Sequence, residues 1–241
     1  MGRARVRQLF LRELVLGPPQ TARFRVAGTV VELGGARDFP VDWLAFVEVF
    51  TGAGYAADYR HASVLDVGAH KGYFGAFAFG SGASAVVSYE PATPNYRALE
   101  RAASRIAERW STRHAAVGGE RGEGTLFLDR TSWAHSLVRV KKPAGEETVS
   151  IVTLADAFEE LPPVSRIVAK IDAEGSEYAI LAATSVLERV DCLFVEWHAV
   201  TAGCTLEELV RVVEASGLEF TGQSGPVLRF QSRPRSEPSQ P

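Results

Sequence analysis

Apolar positions along the chain change their period several times, and each change marks an element. Val64, Leu65 and Val67 form a short run of β-formers. Gly68 and Gly72 then bracket a turn, after which Tyr73, Phe74, Phe77 and Phe79 continue as a stretch able to cover a sheet face. The pattern predicts a buried strand, a glycine turn and a helix. Ala85–Tyr89 reads as a second buried strand, ending at Glu90. Tyr96, Leu99, Ala103 and Ile106 recur at helical spacing, with Arg97, Glu100, Arg101, Arg105 and Glu108 opposite. They predict a helix opened by Thr93 as cap and Pro94 and running to about Trp110. A third strand is expected over His114–Val117, ended by Gly118-Gly119. Further strands are expected over Gly124–Leu128 and Thr148–Val152, and a short helix from Thr153, stopped by Pro162-Pro163. Ile167–Ile171 and Asp191–His198 complete the buried strands, with a helix from about Ser176 to Arg189 between them. A Thr205-x-x-Glu208 capping box then opens a helix, and a hairpin over 217–231 follows.

The first 62 residues read differently. Residues 1–16 allow a short amphipathic helix with Arg3, Arg5, Arg7 and Arg12, ended by Gly17-Pro18-Pro19. A hairpin over Arg23–Leu33 and a helix over Asp42–Phe50 with Trp43, Phe46, Val47 and Phe50 on one side follow. A segment this short lacks a core of its own, so it is expected to cap the sheet and shape a ligand pocket. The division is therefore an extension over 1–62, a main domain over 63–231, and a Pro- and Ser-rich disordered tail over 232–241.

Composition adds few exclusions. The 241 residues are 46% hydrophobic and 23% charged, which suits one α/β domain plus an extension. A formal net charge of −3 does not suit a general nucleic-acid binder. Cys192 and Cys204 make no disulfide framework, which fits a reducing, cytoplasmic setting. No run of about 18 apolar residues occurs, so no transmembrane span is expected.

The candidate chemistry lies at strand ends. The motif Asp66-x-Gly68-x-x-x-Gly72 is not the G-x-G-x-x-G of dinucleotide sites, and a carboxylate before the first glycine repels a pyrophosphate. It suits a cationic, phosphate-free nucleoside such as S-adenosylmethionine. Glu90 lies 90 − 68 = 22 residues after Gly68, where an acid accepts hydrogen bonds from ribose hydroxyls. At the end of the fourth strand, Lys170-Ile171-Asp172-Ala173-Glu174-Gly175-Ser176-Glu177 puts Lys170 and Asp172 on one side, either as a structural ion pair or as ligand contacts. Glu196 and His198 share a face at the end of the fifth strand. The loop Thr131–Leu137, with Trp133 and His135, either faces the ligand or is a surface excursion.

These motifs resemble the FkbM family of class I S-adenosylmethionine-dependent methyltransferases. The resemblance rests on Leu65–Tyr73, Tyr89-Glu90-Pro91 with Asn95, Thr153-Leu154-Ala155-Asp156, Lys170–Glu177 and Val195-Glu196-Trp197-His198. His70 stands where the family commonly has Asn, and one residue is inserted in its Thr-Leu-Asp. The resemblance implies an α/β, Rossmann-like fold: a seven-stranded, mostly parallel sheet in the order 3-2-1-4-5-7-6 with helices on both faces. It implies cofactor contacts from Asp66, Gly68, His70, Gly72, Glu90, Asn95 and the backbone near Ala116. It also implies O-methylation of a hydroxyl on a small molecule, natural product or glycan; no nucleic-acid partner is expected, because no Asn/Asp-Pro-Pro-aromatic run follows the fourth strand. His198 or Asp172 is the expected base with Glu196 orienting it, and His135 is a further candidate. Asp172 and Glu196 alone are too few ligands to define a metal site. The competing classes are a nicotinamide-dependent oxidoreductase and a non-catalytic domain of the same fold. Acceptor identity and oligomeric state are not encoded in any motif.

Overall fold

A computed structural model describes residues 15–17, 21–27, 29–34, 38–51, 54–139, 142–164, 166–198 and 204–233. The expected helix over 1–16 falls almost wholly outside the described residues, as does most of the expected tail.

The chain opens with a small antiparallel sheet of β1 (Val15–Gly17), β2 (Thr21–Val26) and β3 (Thr29–Gly34). Val15–Gly17, expected at the end of a helix, instead pairs with Thr21–Arg23 of β2. Helix α1 (Phe39–Thr51) follows. The main sheet contains β4 (Ser63–Val67), β5 (Ala85–Tyr89), β6 (Trp110–Arg113), β10 (Ile167–Ile171), β11 (Cys192–Glu196), β12 (Leu218–Ser224) and β13 (Val227–Ser232). Their spatial order is β12-β13-β11-β10-β4-β5-β6, and β13 runs antiparallel to both neighbours. Numbered by appearance in this sheet, that is the order 3-2-1-4-5-7-6. A second sheet, β7-β9-β8, is built from β7 (Ala116–Gly118), β8 (Gly122–Leu128) and β9 (Gly145–Thr153).

Strand alternation divides the core in two. Val64, Val86, Val168 and Phe194 face one side, where α1, α2 (Tyr73–Gly80), α3 (Thr93–Ala103) and the N-terminal sheet pack. Leu65, Val87, Ala169 and Val195 face the other, under α4 (Leu154–Glu159), α5 (Glu177–Ala182) and α6 (Leu206–Glu214). Phe24 of β2 meets Phe46 and Phe50 of α1 at 4.6 and 5.1 Å between ring centres, and Phe50 meets Phe77 of α2 at 5.7 Å. The extension therefore shares the main core.

Two element assignments need correction. The third strand of the sheet is Trp110–Arg113, not His114–Val117. Helix α3 stops at Ala103 and passes through a 3-10 turn over Ser104–Ile106, with Ile106 still packed on the core. Trp110, expected at a helix end, is buried in β6 and donates its indole N–H to Ser88 Oγ at 3.0 Å. His114-Ala115 is the bend that carries the chain from the sheet edge to β7. The helix expected to reach Arg189 is likewise shorter: α5 ends at Ala182, and Val186–Arg189 is a separate 3-10 turn. The capping boxes at Thr153/Asp156 and Thr205/Glu208 are both formed.

Candidate active site

The carboxyl ends of β4, β5, β10 and β11 open into one cleft of about 1020 Å³, counting its mouth. This is where an open α/β sheet accepts ligands, beside the reversal of strand order.

The turn after β4 forms one half. Gly68 has φ +69°, and a Cβ there would lie 1.8 Å from the Asp172 carbonyl oxygen, so glycine lets β4 and β10 close together at this point. The N–H groups of Gly68 and Ala69 both donate to the Tyr89 carbonyl, at 3.0 and 2.9 Å. Glu90 accepts from the His70 N–H at 2.8 Å and the Ala92 N–H at 2.9 Å. Burial raises its pKa to about 8, which leaves room for further donors to stabilise the carboxylate. Asn95 gives its Nδ2 to the Ser132 carbonyl at 2.6 Å, while its buried Oδ1 has no partner. Ala115, Ala116 and Val117 line the same wall.

Three of the expected residues do not line the cleft. Asp66 is fully buried below the turn, with Oδ2 accepting from Ser88 Oγ at 3.2 Å and Oδ1 3.8 Å from Lys170 Nζ. Burial raises its pKa to about 6. Its charge acts through Lys170 rather than directly on a ligand. Gly72, with φ +90°, gives close packing instead: a Cβ would sit 3.0 Å from Leu99 and 3.1 Å from Trp110. His198 lies behind the carboxylates of the second half.

That second half is rich in acids. Lys170 Nζ donates to Asp172 Oδ2 at 3.0 Å and to the Gly68 carbonyl at 2.8 Å, so the Lys170–Asp172 ion pair is formed. Asp172 Oδ1 is buried and has no hydrogen-bond partner. Glu196 Oε2 accepts from the Tyr55 hydroxyl at 3.3 Å. Burial raises the pKa of Glu196, Glu174 and Glu48, and the neighbouring Asp172 charge raises each further. His198 Nδ1 lies 2.9 Å from Glu177 Oε1, and Nε2 lies 3.3 Å from Glu174 Oε2 and 4.0 Å from Glu196 Oε1. Burial disfavours the imidazolium, but the Glu177 bond and the surrounding carboxylates more than offset it and raise the pKa.

The Thr131–Leu137 loop does face the cleft, through Ser132, Trp133, His135 and Leu137. His70 Nε2 meets Ser132 Oγ at 3.0 Å, and Lys71 Nζ donates to both oxygens of buried Asp42 at 2.8 and 2.9 Å. The loop, the glycine turn and α1 are thus joined. Sequence reasoning missed Glu48, Tyr55, Asp42 and Ser132. The one available signal was Glu48 itself, a single acid within Phe46-Val47-x-Val49-Phe50.

A seven-stranded sheet with one antiparallel strand and a cleft over its switch point defines the methyltransferase-type α/β class. The sequence places the chain within that class. Residues 66–215 match the methyltransferase FkbM domain, and the chain belongs to that family. Its fold is similar to the crystal structure of methyltransferase FkbM from Methylobacillus flagellatus KT, with a TM-score of 0.52 and 17% identity over 79% of this chain and 50% of that one. The chain thus spans about half the length of that relative. It is also similar to precorrin-6y C5,15-methyltransferase from Geobacter metallireducens GS-15, with a TM-score of 0.44 and 11% identity over 84% of this chain and 94% of that one. No curated protein matches the sequence. Among the described residues, no helix is long and apolar enough to cross a membrane.

Proposed function

We propose that this chain is an S-adenosylmethionine-dependent O-methyltransferase whose acceptor is a hydroxyl of a small molecule, natural product or glycan. The supporting observation is that Glu90 and the Gly68 turn share one cleft, without a wall between, with the ionisable side chains of Glu196, Glu174 and Asp172. The buried, unpartnered Oδ1 of Asn95 fits an adenosine that brings hydrogen-bond donors. When bound, the cofactor supplies an electrophilic methyl group on a sulfonium. Glu90 would hold the ribose hydroxyls, and the Ser132–Leu137 loop would cover the bound cofactor.

The remaining task is to remove the acceptor proton. His198 is poorly suited to it, because its carboxylate neighbours keep it protonated. We assign proton acceptance to Glu196, oriented by Tyr55 and competent in its ionised form, so that turnover rises as pH passes through about 8, and leave Asp172 to hold Lys170. This exchanges the roles expected from the sequence. Glu196→Gln should lower kcat by about 10²–10⁴ with methyl-labelled cofactor and an accepted hydroxyl substrate, as loss of a general base does, and should leave cofactor affinity intact. Unchanged turnover in that variant would remove Glu196 from the role.

A further inference from the structure

The acceptor half of the cleft contains a set of ligand atoms that the methyl-transfer reading does not use. Asp172, Glu174 and His198 each offer one atom, and these atoms lie within 4.8 Å of one another. Two ligands placed cis on an octahedral ion with bonds of about 2.1 Å are about 3 Å apart, and trans ligands are about 4.2 Å apart. The 3.3 Å separation of Glu174 Oε2 and His198 Nε2 therefore already matches a cis pair.

Two further observations point to a ligand. Asp172 Oδ1 is buried and lacks a partner, while its other oxygen is held by Lys170. His198 is oriented from behind: fully buried Glu177 holds Nδ1 at 2.9 Å and is itself fixed by the N–H groups of Ala173 and Gly175. A carboxylate on one ring nitrogen that turns the other toward a site is the usual outer support of a metal-bound histidine.

We propose that Asp172, Glu174 and His198 bind a divalent first-row cation, of the Mn²⁺ to Zn²⁺ kind, which holds an oxygen of the acceptor beside Glu196. One imidazole with two carboxylates and no thiolate suits such an ion better than a soft one. A cation beside Asp172 also relieves the repulsion that its carboxylate exerts on Glu174 and Glu196. The inference rests on the acceptor half being where the hydroxyl sits, but the site is assayed without cofactor or acceptor.

The test is Mn²⁺ titration of the full chain followed by electron paramagnetic resonance, which reads loss of the free-ion signal. One Mn²⁺ per chain is expected, displaced by Zn²⁺. Glu174→Gln and Asp172→Asn should each weaken binding at least about tenfold, and Glu177→Gln should weaken it by about 10–100-fold through loss of ring orientation. Glu174 is on a partly exposed turn, so that variant provides a folded control if changes at buried Glu177 unfold the chain. No loss of free signal at millimolar Mn²⁺, or binding that survives Glu174→Gln and Asp172→Asn unchanged, overturns the proposal. Cofactor calorimetry on the metal-free protein fails or succeeds independently and tests the other reading.

Discussion

The two halves of the cleft are built on opposite principles. On the cofactor side, backbone geometry is set before any ligand arrives: Gly68 and Ala69 share the Tyr89 carbonyl, and Glu90 holds the His70 and Ala92 amides. On the acceptor side, side chains from α1, the β10 end and the β11 end bring Glu48, Asp172, Glu174 and Glu196 together, with Lys170 and His198 as the neighbouring cations. The first arrangement has its turn amides satisfied as it stands. The second holds carboxylates close enough to raise one another's pKa, a cost that a stable fold tolerates where a ligand offsets it.

The contrast can be broken most strongly at Asp42. This buried carboxylate, fully enclosed between α1 and the glycine turn, pairs with Lys71. Asp42→Ala leaves an ammonium buried, with only partly exposed Asp38 at 3.5 Å as a substitute. The expected loss is about 3–5 kcal/mol in urea denaturation, with most of it recovered when Lys71→Met is added. If the single variant is as stable as the parent, the turn is not held by this pair.

Neutralising the acceptor side should act in the opposite direction and less strongly. Glu196 has its pKa raised by burial and by Asp172, so the folded chain binds a proton that the unfolded chain has already released. Its contribution to stability is therefore favourable at low pH and declines as pH rises above the ordinary carboxylate value of about 4.3. Glu196→Gln should raise stability at pH 8 by about 1 kcal/mol while changing little at pH 4, read from thermal melts at both. A variant less stable than the parent at pH 8 would mean that Tyr55 and Lys170 already satisfy the charge.

Legibility in the sequence follows the same division. The cofactor half is nearly continuous in the chain: Asp66 to Gly72 and then Glu90, with the strand pattern fixing where the turn lies. The acids at 172, 174 and 196 were legible for the same reason, as strand ends. Placement was less so. Asp66 carries the charge that suggested a cation, yet it faces Lys170 below the turn, because alternation along β4 sets only the side and not the depth. Glu48 reaches the cleft through the packing of α1 against α2, and Tyr55 through its ring contact with Phe74, tertiary contacts that no local period encodes. The β6 strand was misplaced because Trp110 extends the apolar spacing of α3 by chance, and only its bond to Ser88 reveals a sheet position.

Isothermal calorimetry with S-adenosylhomocysteine tests the central claim most directly. The account predicts saturable one-site binding that is lost in Glu90→Ala, and no heat with a nicotinamide dinucleotide, whose pyrophosphate has no glycine-rich cradle here. Silence with the demethylated cofactor and clear binding of the dinucleotide would contradict it.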